Sequence, residues 1–311
     1  MYKRQGLTYT LIYSSKKIEI GEFYSKRLKR LVLPAWIFLS FFFLFFYAAS
    51  EVTAKEYPFN LKKILGSYTF MDGIGFVWVF KIYLMLALIT PIAIHLNKRI
   101  DSDRFYFFLL ILFYIIYELI NYIVSPYLVG TINTVFNSIV FILIPYSLVY
   151  FYAFRMNRLK SNHLLILSLT SLVIFLSIAF IKYQDIGWFV STQDFKYPPT
   201  IYYLSYAFFA INIIFIVVNK INLEKTNVKY ALVWLSSNSL WVYLWHIMAF
   251  YIWKFLLQNP NGDLLIFLLK TIFLFAFGIF LTILQNRFVS ILSKKNRIFK
   301  SKVAPLLSSN T

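Results

Sequence analysis

The sequence predicts an all-α integral membrane protein, built as a bundle of eight transmembrane helices. Of its 311 residues, 60% are hydrophobic and only 14% are charged, whereas a soluble domain has about 25% charged residues. The mean hydropathy is +0.69. The apolar residues form long runs without the period-two alternation of a transmembrane β-barrel. This composition excludes soluble enzyme folds.

Eight stretches of the chain can cross a membrane, because each approaches the roughly 20 mostly apolar residues that a spanning helix needs. In chain order they lie at 31–50, 74–95, 105–124, 132–153, 164–181, 201–219, 231–257 and 264–285. The seventh contains Ser236, Ser237 and Asn238. Such side chains favour helix ends, so we expect them to break or cap this long helix.

The basic residues predict the orientation of the bundle. Of the 31 lysines and arginines, 23 fall on the side that also holds both chain ends, and five fall on the other side. Because cytoplasmic connections are enriched in Lys and Arg, both termini are predicted to face the cytoplasm. The net charge of +19 is thereby explained without a nucleic-acid partner. With no cysteine and three scattered histidines, no metal site is expected.

The spans divide the chain into a basic cytoplasmic segment at 1–30, a transmembrane domain at 31–285 and a basic cytoplasmic tail at 286–311. The apolar run GLTYTLIY at 6–13 is too short to cross. It is either an interfacial segment or the stump of a truncated helix. We favour the stump, because the preceding MYKRQ resembles translated adapter sequence. The tail is expected to be flexible beyond Arg297.

Ionisable residues inside spans are functional candidates, because a charge in the hydrocarbon costs roughly 2.5–3.5 kcal/mol. Lys81, Glu118 and Lys270 lie at similar depths from the outer side. One interpretation is a buried ion pair between Lys81 and Glu118. In the alternative, both lysines extend to the outer headgroups.

His246 lies near mid-membrane in the segment NSLWVYLWH at 238–246, and Tyr243 precedes it at helical spacing. An imidazole there can act as a general base. The alternative is a packed histidine that is bonded to a neighbouring helix.

Arg27 and Arg30 lie one helical turn apart just before Pro34, which opens the first span. Two guanidinium groups at this spacing share a helix face and can bind phosphates in bidentate fashion. The alternative is that they only set topology or contact anionic lipid.

The outer connection at 182–200 mixes aromatic and acidic residues, which bind sugar faces and hydroxyls but also occur in interfacial aromatic belts. These residues are Tyr183, Asp185, Trp188, Asp194 and Tyr197.

Taken together, the chain resembles the type-3 acyltransferase family, integral-membrane enzymes that O-acylate bacterial surface polysaccharides and related acceptors. Four segments carry the resemblance in family order: Arg27-x-x-Arg30 with Pro34, GIGFVWVFKIYLMLALITP at 73–91, KYPPTIYYLSY at 196–206, and NSLWVYLWH at 238–246.

The resemblance implies an acyl-CoA donor on the cytoplasmic side, with Arg27 and Arg30 matching the family's donor-binding Arg-x-x-Arg element. Trp78 matches a family tryptophan, and Tyr243 and His246 match the motif of the terminal helix. Family members have a core of ten helices, so two helices are expected before Arg27. The family's proposed catalytic histidine lies in the first of them, which implies that the chain as given is catalytically incomplete.

The predicted function is a membrane O-acyltransferase in the bacterial inner membrane. It would move an acyl group, with acetyl expected, from acyl-CoA to a hydroxyl of an exopolysaccharide or other glycan. Histidine suits the base that such a transfer needs. The expected partners are acyl-CoA, a glycan acceptor and the lipid bilayer, with no bound cofactor. The alternatives are a transporter or flippase of lipid-linked sugars, for which helices broken in two corresponding halves are typical, and a non-catalytic membrane protein.

Overall fold

The computed structural model describes residues 19–71, 73–221, 227–257 and 263–308. Within these ranges the protein is helical, and no strand forms apart from one isolated bridge between Lys196 and Pro199. Eight helical stretches of the described chain are long and apolar enough to cross a membrane. The predicted all-α integral membrane fold is therefore confirmed. The proposed helix stump at 6–13 lies outside the described residues.

The helices follow the predicted spans closely. In chain order they are α1 (Ile20–Thr53), α2 (Leu61–Thr69), α3 (Trp78–Arg99), α4 (Asp103–Val124), α5 (Gly130–Val135), α6 (Phe141–Arg155), α7 (Ser161–Ile186), α8 (Ile201–Lys220), α9 (Asn227–Ser237), α10 (Ser239–Leu257), α11 (Leu264–Lys295) and α12 (Ala304–Leu307). A π-helical turn, Phe136–Val140, joins α5 and α6 into one span.

The chain forms two compact units. Of the described residues, the first unit contains 19–24 and 81–221, and the second contains 25–71, 73–80, 227–257 and 263–308. In the first unit, α7 and α8 pack side by side, and the Ser168 hydroxyl of α7 donates to the Phe209 carbonyl of α8 at 3.1 Å. The rings of Phe175 and Tyr202 stack at 5.0 Å between the same two helices.

An aromatic core holds the second unit together. Phe42 of α1 is fully buried, and its ring lies 5.3 Å from Phe59 and 5.3 Å from Tyr251 of α10. Phe46, one turn further along α1, contacts Phe255 of α10 at 5.7 Å. These contacts fix α1 against α10 and so position the functional groups that each helix carries.

Helix α1 begins earlier than the sequence indicated, at Ile20 rather than near residue 31. The basic stretch before the first span is rich in Lys, Arg and Leu, which are good helix formers. The 34 residues of α1 span about 51 Å, which exceeds a hydrocarbon layer of about 30 Å. The basic residues therefore stand on a helical extension of the first span.

The break predicted in the seventh span is confirmed at Asn238, between α9 and α10. The Asn238 side-chain amide donates to the Trp234 carbonyl at 2.9 Å, and its oxygen accepts from Asn286 of α11 at 2.9 Å. A buried amide with these two partners fixes the point at which the helix is interrupted.

The expectation of a tail that is flexible beyond Arg297 does not hold for the residues up to Ser308. A π-helical turn, Phe299–Val303, leads into α12. Ala304 and Ser308 are buried, and the Gln285 amide donates to the Leu307 carbonyl at 2.5 Å. The apolar residues around α12 give the tail a surface to bury, which the basic composition of the tail conceals.

Candidate functional site

The second unit contains a cavity of about 670 Å³ beside the basic part of α1. Lys26, Lys29, Arg30 and Leu33 line it. Their spacings of three and four residues place them on one face of the helix. Pro34, one residue further on, closes this wall. The wall that α1 forms thus carries three basic side chains, followed by the apolar Leu33 and Pro34.

The other walls come from distant parts of the chain. The junction of α9 and α10 contributes Ser237, Leu240 and Trp241, and the tail contributes Ser301, Pro305, Leu306 and Ser308. The cavity therefore combines cationic groups, hydroxyl groups and apolar side chains. This mixture suits a ligand that has phosphates at one place and an apolar or aromatic group at another.

A strained loop lies against the middle of α10. Phe76 has a φ of +80°, which is unfavourable for a residue with a bulky side chain. Its carbonyl accepts a hydrogen bond from the Tyr243 hydroxyl at 2.6 Å. The neighbouring Gly75 N–H donates to the Tyr251 hydroxyl at 3.0 Å. Two tyrosines of α10 therefore hold the backbone of this loop in its strained form.

His246 lies beside this loop and is half-buried. Its ring is 5.9 Å from the Phe76 ring and 6.1 Å from the Tyr243 ring. On its other side α11 comes unusually close at Gly278, where a Cβ atom would lie 3.0 Å from the Val242 carbonyl and 3.6 Å from the His246 Cβ. The structure thus places the imidazole at the contact between the strained loop, α10 and α11.

A family model decides the class of protein to which this arrangement belongs. The model described as "Acyltransferase domain", that of the type-3 acyltransferases, matches residues 6–285. The chain belongs to the type-3 acyltransferase family. The protein is accordingly a multi-pass membrane acyltransferase. Neither the curated proteins nor the solved structures compared with the chain give a match.

Arg27 and Arg30 of the acyltransferase occupy different positions around α1. Arg30 lines the cavity, whereas Arg27 is half-buried and is not among the residues that line it. Arg27 follows Lys26 by one residue, a rotation of about 100° around the helix. The structure therefore brings Arg30 together with Lys26 and Lys29, two lysines that sequence reasoning had used only for topology. A donor-binding role of Arg27 remains a prediction.

The other predicted site residues are dispersed. Trp78 is half-buried at the first position of α3. Glu118 accepts a hydrogen bond from Tyr114, one turn earlier on α4, at 2.5 Å. Among the described residues, no ion pair joins it to Lys81. The Lys270 ammonium lies 4.7 Å from the centre of the Phe250 ring, a cation–π contact.

Sequence reasoning missed Arg155 of the acyltransferase, which had been counted only as a cytoplasmic charge. Its side chain is fully buried in the first unit and forms an ion pair with Asp103 at 2.6 Å. The guanidinium also donates to the carbonyls of Asn97, Ile100 and Asp101. In the sequence, the one feature that pointed to a buried partner for Arg155 was the presence of two acids, Asp101 and Asp103, in an otherwise basic connection.

The connection between α7 and α8 lies in the first unit and presents aromatic side chains to its surface. Trp188 is 66% exposed and Phe189 is 73% exposed. Lys196 is half-buried, and burial lowers the pKa of its ammonium group. Its nitrogen lies 5.2 Å from the centre of the Tyr197 ring. This composition is shared by sugar-binding surfaces and by interfacial aromatic belts.

Proposed function

We propose that this acyltransferase moves an acyl group, expected to be acetyl, from acyl-CoA to a hydroxyl of an exopolysaccharide or another glycan. The observation that carries the proposal is the cavity lined by Lys26, Lys29 and Arg30. Coenzyme A has a 3′-phosphate and a diphosphate, which need cationic partners. Charge-assisted hydrogen bonds from guanidinium and ammonium groups supply them.

The size and the position of the cavity support the same donor. Its volume of about 670 Å³ lies within the range of roughly 300–1,000 Å³ that is typical of small-molecule sites. Its walls come from the start of the first span, the start of the seventh span and the tail after the eighth. Positive-inside counting assigns all three to the cytoplasm, where acyl-CoA is available. We therefore propose an inner-membrane protein with cytoplasmic termini.

Helix α10 offers a route from the donor to the reacting group. Trp241 lines the cavity, and His246 follows five residues later, about 7.5 Å along the helix axis. The family's proposed catalytic histidine is expected in a helix before Arg27. Within the described residues, we propose His246 as the candidate base and Tyr243 as the residue that positions the strained loop beside it. His246 is also the one histidine in the sequence of the second unit.

The proposed chemistry is a direct acyl transfer. As the acceptor oxygen attacks the thioester carbonyl, the base takes the hydroxyl proton, a C–O bond forms and the C–S bond breaks. Coenzyme A leaves as a thiolate and regains that proton. The exposed rings of Trp188 and Phe189 support a glycan acceptor.

Binding of coenzyme A to the purified full chain in lipid nanodiscs tests the donor site. Arg30→Ala is expected to weaken binding about tenfold or more, because a hydrogen bond to a charged group contributes about 1.5–3 kcal/mol. Lys294→Ala is the matched control, since Lys294 is an exposed cation in the last turn of α11 and lies outside the cavity. Equal affinities of the wild type and Arg30→Ala would refute the donor site.

Membranes that contain the protein test the transfer itself. Acetyl-CoA labelled in its acetyl group is expected to place label in alkali-labile esters of the polysaccharide fraction. Label that appears only in lipid or protein would contradict a glycan acceptor.

A further inference from the structure

The tail forms one wall of the basic cavity, although it lies outside the family domain. The family match ends at residue 285. Four residues beyond this point, Ser301, Pro305, Leu306 and Ser308, nevertheless line the cavity. The proposed donor site is therefore incomplete without a segment that the family domain does not include.

The tail is attached to the helices by a chain of polar contacts. The Trp245 indole N–H donates to the Gln285 side-chain oxygen at 2.6 Å, and the Gln285 amide donates to the Leu307 carbonyl at 2.5 Å. Trp245 lies one turn after Trp241, which lines the cavity on the same face of α10. Ala304 is fully buried. These contacts fix the tail wall in place beside the wall that α10 forms.

The chemistry of the tail differs from that of α1. The α1 wall carries Lys26, Lys29 and Arg30, whereas the tail carries no charge among its lining residues: the apolar Pro305 and Leu306 stand with the hydroxyl groups of Ser301 and Ser308. Leu240 and Trp241 of α10 are also apolar. A ligand whose phosphates bind to α1 must therefore place an uncharged group against the tail and α10. In coenzyme A, the ribose that carries the 3′-phosphate also carries the adenine base, which is flat and uncharged.

We propose that the tail at 299–308, together with Leu240 and Trp241, forms the wall against which the adenine base of the donor packs. This inference rests on the proposed donor site and adds recognition of the nucleotide base to it. The tail thereby distinguishes coenzyme A from donors that carry only a phosphopantetheine arm.

The test compares two substitutions within the tail of the full chain. Leu306→Asp places a carboxylate in the wall, beside the base and the phosphates. Ile298→Asp makes a similar change at a side chain that is 68% exposed and lies outside the cavity. We expect Leu306→Asp to weaken the binding of coenzyme A and of adenosine 3′,5′-bisphosphate by about tenfold or more. Ile298→Asp is expected to leave both affinities within about twofold of the wild type. The milder substitution Leu306→Ala is expected to lower the affinity for both ligands about threefold to fivefold.

A third probe separates this inference from the proposed donor site. Binding of 4′-phosphopantetheine, which lacks the base but keeps a phosphate, is expected to be unchanged by the uncharged substitution Leu306→Ala. Wild-type affinity for coenzyme A in both Leu306 variants, or an equal loss of affinity for all three probes in Leu306→Ala, would overturn the role of the tail. In that case the effect of Arg30→Ala on coenzyme A would still support the donor site. If the wild type binds no coenzyme A, the donor site itself is refuted.

Discussion

Replacement of Arg155 by methionine is expected to prevent accumulation of the folded protein. The guanidinium is fully buried and binds Asp103 together with three backbone carbonyls at the α3–α4 turn. It also lies 4.5 Å from the centre of the Tyr106 ring. Methionine leaves these carbonyls without their donor, and each buried polar group left unsatisfied costs about 1–3 kcal/mol. This loss is comparable with the whole stability of many proteins, about 5–15 kcal/mol.

Thermal unfolding of the detergent-purified protein, with the yield of monodisperse material, measures this effect. Arg158→Met is the matched control, because Arg158 is an exposed cation three residues later, and we expect it to change the stability by less than about 0.5 kcal/mol. Asp103→Asn leaves the buried guanidinium without its counterion and is expected to cost about 3 kcal/mol, the lower end of the range for a broken buried ion pair, because the carbonyl partners of Arg155 remain. If Arg155→Met unfolds at the same temperature as Arg158→Met, Arg155 does not fix the α3–α4 turn.

The second large effect is expected at Gly73, in the loop that meets α10. A Cβ atom at this position would lie 2.2 Å from the Ser67 hydroxyl oxygen and 2.4 Å from the Ser67 backbone nitrogen. The Ser67 hydroxyl also accepts the Ile74 N–H at 2.9 Å and so holds the loop against α2. In Gly73→Ala the loop must move, and we expect a loss of about 3 kcal/mol, the upper end of the range for overpacked sites.

Cysteine labelling reports this movement, because the natural chain has no cysteine. Val77 is 2% exposed, so Val77→Cys is expected to resist a water-soluble maleimide. Adding Gly73→Ala is expected to raise the labelling rate about tenfold or more, as local opening exposes the thiol. Gly75→Ala is the control, because a Cβ atom there meets only the Tyr251 hydroxyl oxygen, at 3.8 Å. Equal labelling with both alanines would show that the contact with Ser67 does not hold the loop.

Much of the fold follows from the sequence, because lipid exposure demands long apolar helices whose backbone groups are satisfied internally. The eight spans and the helix break at Asn238 were predicted for this reason. Arg27 and Arg30 were predicted as donor-binding residues from the family resemblance, whereas their position before the first span left open that they only set topology. Lys26 and Lys29 lay in the same basic stretch, but no local rule shows which face of an isolated helix meets a cavity.

The features that sequence reasoning missed depend on long-range contacts. Arg155 binds groups more than 50 residues earlier in the chain, and a basic residue at the end of a span usually contacts only water or headgroups. The tail is held against the helices by Gln285, which bonds to Leu307, 22 residues later, and to Trp245, 40 residues earlier. One interpretation paired Glu118 with Lys81, yet the Glu118 carboxylate accepts a hydrogen bond from Tyr114 on its own helix. In each case the folded structure selects one partner among several that the sequence allows.

The tyrosine contacts of α10 have a mechanical consequence. One helix presents Trp241 to the basic cavity and, within the next three turns, binds the loop backbone through Tyr243 and Tyr251. Any rotation of α10 at the cavity would therefore also move Gly75 and Phe76, the backbone segment beside His246.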